Sequence, residues 1–211
     1  MLNKTKTAYL LIDMEQGFVN PAGGHCVKGA AATVPACSKT MQAAREKGMA
    51  VVIVKRVYRE NGSDVELNRY AGWVAGGRSM TPESTGSNSV EAPAGLEPKE
   101  GDIVIFKPRW SAFFQTELDL ILRRLGVRTV VLAGTTTPNC IRATCYDAIA
   151  LDYNVVVLTD CTSSNTDEIQ RVNLEDMQRI GAGLMTSNEF MKFNEQTVPD
   201  VQAQIRKEEG Y

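Results

Sequence analysis

Five short apolar segments, rich in β-branched residues, alternate with helical stretches along this chain. None shows the polar alternation of a half-exposed strand, so each is typical of a β-strand buried on both faces. The predicted strands cover residues 8–12, 49–54, 103–106, 129–133 and 154–158, and the predicted helices cover residues 30–47, 117–125, 141–151 and 168–180. Short connections between alternating strands and helices predict a parallel sheet with helices on both sides.

The predicted fold is therefore a single-domain, three-layer α/β/α sandwich with a mostly parallel, doubly wound sheet. A chain of 211 residues fits one such domain, 1–211, and its 43% hydrophobic and 23% charged residues are ordinary for a globular protein. Residues 61–99 form a loop-rich insertion of Gly, Ser and Pro that also holds Tyr70 and Trp73. Loops of this length are uncommon, so a lid, a subunit contact and disorder all remain open.

Several classes of function are excluded by charge and composition. The net charge of -2, without a Lys/Arg patch, predicts no nucleic-acid partner, and no apolar run reaches the length of a membrane span. The first strand carries no signal-peptide features, and five irregularly spaced cysteines argue against a disulfide framework. We therefore expect a reduced, cytoplasmic protein. A single histidine, His25, disfavours imidazole-based triads and metal sites, so we expect no metal and no cofactor.

Polar residues follow the predicted strands where ligands bind in parallel α/β sheets. They are Asp13, Lys107, the turn of residues 135–140, and Asp160, which also suits a cap or turn. Because these strand ends meet at one edge of the sheet, an acid, an amine and the thiol of Cys140 are predicted to converge.

This set supports nucleophilic chemistry without histidine. Lys107 would stabilise the Cys140 thiolate, Asp13 would shuttle the thiol proton, and the start of the following helix would stabilise negative charge. Each residue also has an ordinary structural interpretation: Asp13 as a helix cap, Lys107 as a solvated lysine, and Cys140 as a small buried residue.

Three separated motifs resemble those of the isochorismatase-like cysteine hydrolases, specifically the amidohydrolase branch with N-carbamoylsarcosine amidase and the biuret and ureidoacrylate hydrolases. The motifs are TAYLLIDMEQGF, VIFKPRW and GTTTPNC. The resemblance implies the catalytic residues Asp13, Lys107 and Cys140. It also implies a cis peptide bond between Thr135 and Thr136, and an oxyanion hole from the backbone N–H groups of Thr136 and Cys140.

The chain also departs from the family pattern. Glu15 stands where the family usually has Gln, and Pro138 stands at a usual Asp or Asn position. A metal site of nicotinamidase type, with one Asp and two His, cannot be assembled from one histidine. The presence of Cys140 favours C–N cleavage over the vinyl-ether cleavage of members that lack this cysteine.

Six residues near the motifs or in the insertion are candidates for substrate binding, because aromatic rings exclude water and arginines bind anionic or carbonyl oxygens. They are Phe18, Trp73, Arg109, Trp110, Phe113 and Arg142. Core packing for the aromatic residues, Phe113 above all, and surface ion pairs for the arginines are the alternatives.

The sequence thus predicts a cysteine-dependent hydrolase that cleaves the C–N bond of a small amide, ureido or carbamoyl compound through a thioester. An ester or lactam hydrolase with the same triad is one alternative. A catalytically idle binding or redox-sensing member of the fold is another. We also expect a homo-oligomer, in which the 61–99 insertion could close a neighbouring site.

Overall fold

The computed structural model describes residues 5–194 together with 204, 206–208 and 210. Within these residues the strands are β1 (Thr7–Ile12), β2 (Ala50–Arg56), β3 (Ile103–Lys107), β4 (Thr129–Thr135), β5 (Asn154–Ser163) and β6 (Gly183–Met185). The helices are α1 (Gln16–Val19), α2 (Ala30–Glu46), α3 (Leu67–Ala75), α4 (Leu118–Arg124), α5 (Arg142–Ala150), α6 (Asp167–Arg179) and α7 (Ser187–Met191). A π-helical turn, Thr137–Ile141, leads into α5.

The six strands form one parallel sheet in the order β3-β2-β1-β4-β5-β6. Successive residues of β1 face opposite sides of this sheet. Leu11 belongs to the core cluster that includes Met41 of α2 and Phe190 of α7, whereas Leu10 belongs to the cluster that includes Leu122 of α4. The predicted single-domain α/β/α sandwich is therefore confirmed.

The sheet reverses its winding direction between β1 and β4, where doubly wound sheets form their ligand-binding crevice. These strands approach closely at Gly134, whose φ is +112°. A Cβ atom at this position would lie 2.0 Å from the carbonyl oxygen of Ile12, so only glycine fits. Asp13 follows β1, and the turn bearing Cys140 follows β4, so both flank this crevice.

The fifth predicted strand is longer than expected. A register shift in β4 between Leu132 and Gly134 accompanies the continuation of β5 through a polar segment to Ser163. Asp160 consequently lies inside β5, not after it. Its carboxylate accepts hydrogen bonds from the backbone N–H and the hydroxyl of Ser187, at 2.7 and 2.6 Å, and so fixes the start of α7. The short elements α1, α3, β6 and α7 were not predicted.

The 61–99 insertion is more ordered than its composition suggests. Trp73 of α3 packs in a small cluster with Tyr58, Val65 and Met80, and its Nε1 donates to the carbonyl of Ser79 at 2.8 Å. The insertion is therefore anchored to its own chain by one buried face. In the part of the chain that the structure describes, no helix has the length and apolar character needed to cross a membrane.

Candidate active site

A buried ion pair joins the ends of β1 and β3. The Nζ of Lys107 donates to Asp13 Oδ2 at 2.8 Å and to the carbonyl of Arg109 at 2.9 Å. Both charged side chains are essentially inaccessible to solvent. Asp13 is therefore not a helix cap, and Lys107 is not a solvated lysine, because each satisfies the other's charge inside the protein.

The thiol of Cys140 lies beside this pair and is also buried. Burial and the Asp13 carboxylate, against the opposing charges of Lys107 and Arg56, together raise the pKa of Cys140 to about 12. The resting group is thus a thiol, whereas the charge of Lys107 alone predicted a thiolate. Asp13 Oδ1 is buried without a hydrogen-bond partner in the described residues, so it is available to accept the thiol proton.

Three threonines shape the turn before Cys140. The peptide bond between Thr135 and Thr136 is cis, as predicted. The Thr135 hydroxyl lies 2.9 Å from the Ser163 hydroxyl, and the hydroxyls of Thr136 and Thr137 donate to the Ser163 carbonyl at 3.1 and 3.0 Å. The end of β5 therefore fixes the backbone that presents the nucleophile. The oxyanion role of the Thr136 and Cys140 N–H groups stays a prediction.

Cys140 opens onto a pocket that combines the Cys140 turn, the α1 region and the insertion. Its lining residues are Phe18, His25, Arg56, Tyr58, Arg69, Met80, Trp110, Thr136, Asn139 and Cys140. Among the six predicted substrate-binding residues, Phe18 and Trp110 line this pocket. Trp73 lines a neighbouring pocket that shares His25, Tyr58 and Arg69 with the first.

The other three candidates do not line the thiol pocket, and each has another partner. Phe113 stacks on Tyr153 with ring centroids 5.8 Å apart, which is the core-packing alternative. Arg142 forms an ion pair with Asp176 at 2.8 Å, and the Arg109 guanidinium donates to the carbonyls of Asp64 and Pro108. Arg142 nevertheless lines a neighbouring pocket that shares Trp110 and Asn139 with the thiol pocket, and the Arg109 carbonyl holds Lys107. Substrate binding by these three residues stays a prediction.

Arg56, the last residue of β2, is a site residue that was not predicted from the sequence. Its guanidinium is buried, pairs with Glu66, and donates to the Tyr58 hydroxyl at 2.7 Å, and that hydroxyl donates to Glu66 at 2.8 Å. Although burial opposes its charge, Tyr58, Asp13 and Glu66 raise the pKa of Arg56, so it stays a cation. Extending the second predicted strand by two residues would have placed Arg56 at the same sheet edge as Asp13.

His25 and Glu15 are two further titratable groups near the site, and burial disfavours the charged form of each. Burial lowers the pKa of His25, as do the charges of Arg69 and Arg56, and its Nε2 lies 2.9 Å from the Ser79 hydroxyl. Burial and the Asp13 charge raise the pKa of Glu15 well above its usual range. Among the described residues, no group of three or more His, Cys, Asp or Glu side chains is positioned to hold a metal ion.

This pocket, with a thiol, a carboxylate and an ammonium at the carboxyl edge of a parallel sheet, corresponds to a known family. Residues 7–189 match the Isochorismatase domain, and the chain belongs to that family. The fold and the family together define an isochorismatase-like hydrolase of the amidohydrolase branch.

Three relatives illustrate the range of this family. A probable inactive nicotinamidase of Arabidopsis thaliana is 40% identical over 87% of this chain and 94% of its own length. A ureidoacrylate amidohydrolase of Azorhizobium caulinodans is 28% identical over 92% of each protein. The crystal structure of an isochorismatase family protein from Desulfovibrio vulgaris superposes with a TM-score of 0.83 at 40% identity, covering 88% of this chain and 96% of that one.

Proposed function

We propose that this protein hydrolyses the C–N bond of a small amide, ureido or carbamoyl compound, with Cys140 as nucleophile and Asp13 as proton carrier. The observation that carries the proposal is the Asp13–Lys107 pair, with an Nζ to Oδ2 distance of 2.8 Å, buried beside the Cys140 thiol. The relationship to a ureidoacrylate amidohydrolase supports the type of bond.

In the proposed reaction, the Cys140 sulfur attacks the carbonyl carbon while its proton moves to Asp13 Oδ1. Because burial and Asp13 keep the thiol protonated at rest, proton transfer accompanies attack. The negative charge that forms on the carbonyl oxygen would be received by the N–H groups of Thr136 and Cys140. Lys107 holds Asp13 in place throughout.

Collapse of this intermediate breaks the C–N bond. Asp13 returns the proton to the leaving nitrogen, which departs as ammonia or an amine and leaves a thioester on Cys140. A water molecule then attacks the thioester carbonyl and gives a proton to Asp13. The C–S bond breaks, the carboxylic acid leaves, and Asp13 returns the proton to the Cys140 sulfur. A thioester is less stable than the amide it replaces, so one difficult hydrolysis becomes two easier steps.

A catalytically idle protein is the second candidate, since one relative is described as a probable inactive nicotinamidase. A panel of small amides and ureas separates the two: N-carbamoyl amino acids, biuret, maleamate and nicotinamide, each assayed for ammonia release. We expect release from one chemical class, loss of release in Cys140→Ser, and an acyl adduct on Cys140 in intact-mass spectra with a slow substrate.

Cys145 offers a matched control. It is a buried thiol on α5, and burial raises its pKa to about 12 as well, but Asp13 and Lys107 do not act on it. We expect Cys145→Ala to keep ammonia release. Full activity in Cys140→Ser would overturn the proposed mechanism, and an inert wild-type protein across the panel would favour the idle alternative. Self-association stays a prediction.

A further inference from the structure

A second and larger pocket adjoins the thiol pocket, and we call it the Trp73 pocket. The two pockets share His25, Tyr58 and Arg69 in their walls. The thiol pocket has a volume of about 40 Å³, which suits a small group such as the reacting amide, whereas the Trp73 pocket has a volume of about 390 Å³. Small-molecule sites typically have volumes of about 300–1,000 Å³. Most of the space for a ligand therefore lies beyond the thiol pocket, on the side of the insertion.

The polar atoms of the aromatic residues in the Trp73 pocket are bonded inside the protein. Trp73 Nε1 donates to the carbonyl of Ser79 at 2.8 Å, and the Tyr58 hydroxyl donates to Glu66 at 2.8 Å. The carbon atoms of these two rings, together with Val65, remain as the surface that a ligand would contact. Burial of apolar groups against such a surface is favourable. The Trp73 pocket therefore suits an uncharged alkyl or aryl group.

The basic residues of the Trp73 pocket do not change this character. Burial and the charges of Arg69 and Arg56 lower the pKa of His25, so its ring is neutral near pH 7. Arg69 is the one charged residue among the described residues that line this pocket. Its Cζ lies 5.3 Å from the ring centroid of Trp110, which belongs to the thiol pocket. The guanidinium of Arg69 therefore lies at the boundary between the two pockets.

A glycine of α3 keeps the Trp73 pocket open. Gly72 lies in the interior of this helix, where glycine is about 1 kcal/mol less favourable than alanine. A Cβ atom at Gly72 would have no atom of the surrounding structure within 4 Å, and its φ is not positive, so the fold does not require glycine here. Gly62 differs, because its φ is +69° and a Cβ atom would lie 2.6 Å from the Trp73 ring. The space beside Gly72 is the pocket itself.

We infer that the Trp73 pocket is a second subsite for the substrate, which holds an uncharged alkyl or aryl substituent while the amide or ureido group lies against Cys140. This inference rests on the proposed function and narrows its substrate class from small amides in general to amides and ureas with an apolar substituent. Gly72 then sets the size of the substituent that the protein accepts.

Monosubstituted ureas of increasing size test the inference. Binding of methylurea, butylurea, hexylurea and phenylurea to the Cys140→Ser variant is measured by calorimetry. Because each buried methylene group should tighten binding about threefold, we expect butylurea to bind at least about tenfold more tightly than methylurea. Phenylurea should show a similar preference over methylurea. Equal affinities across the series, or no binding of any member, would overturn the inference.

Gly72→Leu is the informative substitution because it fills the pocket from a helix position with open space around it. In the Cys140→Ser background, it should weaken butylurea binding at least about tenfold and leave methylurea within about twofold. Ala71→Leu is the matched control, since Ala71 is an exposed residue of the same helix that lines neither pocket, and it should change neither affinity. Equal losses for both ureas in Gly72→Leu, or no loss for butylurea, would contradict the subsite.

Gly72→Ala separates the room that glycine provides from a role in the fold. Alanine is the better helix former, so the Tm should rise by about 2–4 °C. Hexylurea binding should nevertheless weaken about threefold, because the added methyl group enters the pocket. A fall in Tm would show that the fold requires this glycine, and the assignment of Gly72 to the subsite would be overturned.

Two outcomes distinguish this inference from the proposed function. Binding to Cys140→Ser that increases with the size of the substituent and is lost in Gly72→Leu, combined with no ammonia release by the wild-type protein, would retain the subsite and reject hydrolysis. Ammonia release from methylurea and hexylurea with the same kcat/KM would retain hydrolysis and reject the subsite.

Discussion

Two buried ion pairs lie at the carboxyl edge of the sheet, and they differ in the atom that each leaves unpaired. Among the described residues, Asp13–Lys107 leaves the acceptor Asp13 Oδ1 without a hydrogen-bond partner, whereas Arg56–Glu66 leaves the donor Arg56 Nε without one. Buried pairs often add little net stability, so stability alone does not account for these two. An acceptor beside a thiol suits proton transfer, and a donor in a pocket wall suits recognition.

The two pairs also differ in their connection to the fold. Asp13 directly follows β1 and Lys107 ends β3 of the central sheet, whose backbone fixes both positions. Glu66 instead immediately precedes α3, so its pair with Arg56 ties the insertion to the sheet. The site therefore has two halves. The reacting half consists of Asp13, Lys107 and Cys140 at strand ends. The recognising half consists of Arg56 and the residues of the insertion that face it, Glu66 and Arg69.

The largest expected effect comes from removing the free acceptor. Asp13→Asn should lower kcat for ammonia release by about 10²- to 10⁴-fold, because an amide cannot take the thiol proton. The same change should speed alkylation of Cys140 by iodoacetamide at pH 8, since the Asp13 charge raises the pKa of this thiol. Glu66→Gln is the comparison variant, and we expect its alkylation rate to stay closer to that of wild type. Equal alkylation rates in Asp13→Asn and Glu66→Gln would contradict the assignment of proton transfer to the Asp13–Lys107 pair alone.

The next effect concerns stability. Lys107→Met should lower the free energy of unfolding by about 3–5 kcal/mol, because it leaves the Asp13 carboxylate buried without its counterion. The double variant Lys107→Met/Asp13→Asn should recover much of the lost free energy of unfolding but none of the catalytic activity. Arg123→Met, at an exposed pair with Asp119, should stay within about 1 kcal/mol of wild type in the same denaturant titration. A loss at Lys107 no larger than at Arg123 would show that the buried pair contributes no more to stability than an exposed one.

The reacting half was predictable from sequence for a physical reason. Parallel strands buried on both faces produce continuous apolar runs, so the polar residue that ends each run is visible. Asp13 and Lys107 were found this way, and Cys140 by the turn after β4. Their partnership, at 2.8 Å, follows from the strand order, which composition alone does not fix.

The recognising half was not predictable to the same extent. Arg69 lies on α3, within a segment whose glycines and serines suggested a loop, and the pairing of Arg56 with Glu66 depends on how that segment folds back. Arg142 lies close to Cys140 in sequence and lines a pocket next to the thiol pocket, yet its guanidinium pairs with Asp176 on α6, which the sequence did not indicate. Position along the chain predicts strand ends well and side-chain direction poorly.

The smallest expected effect involves Glu15, which contacts both halves. Its Oε1 accepts the backbone N–H of Arg56 at 2.9 Å, and its side chain lies near Asp13, whose charge adds to burial in raising the pKa of Glu15. A glutamate in the unfolded chain has its ordinary pKa of 4.5. Between 4.5 and the raised value, the folded protein therefore binds one more proton than the unfolded chain.

Glu15 consequently stabilises the fold fully below pH 4.5, and this contribution is lost as the pH rises through its folded pKa. Glu15→Gln, which keeps the acceptor for Arg56 but cannot ionise, should lack this loss. In urea titrations, the free energy of unfolding of the variant should rise relative to that of wild type as the pH increases, by no more than about 1.4 kcal/mol per pH unit. A difference between the two proteins that stays constant from pH 4 to 9 would mean that Glu15 is ionised in the fold. The distinction between a reacting pair and a recognising pair would then have to rest on geometry alone.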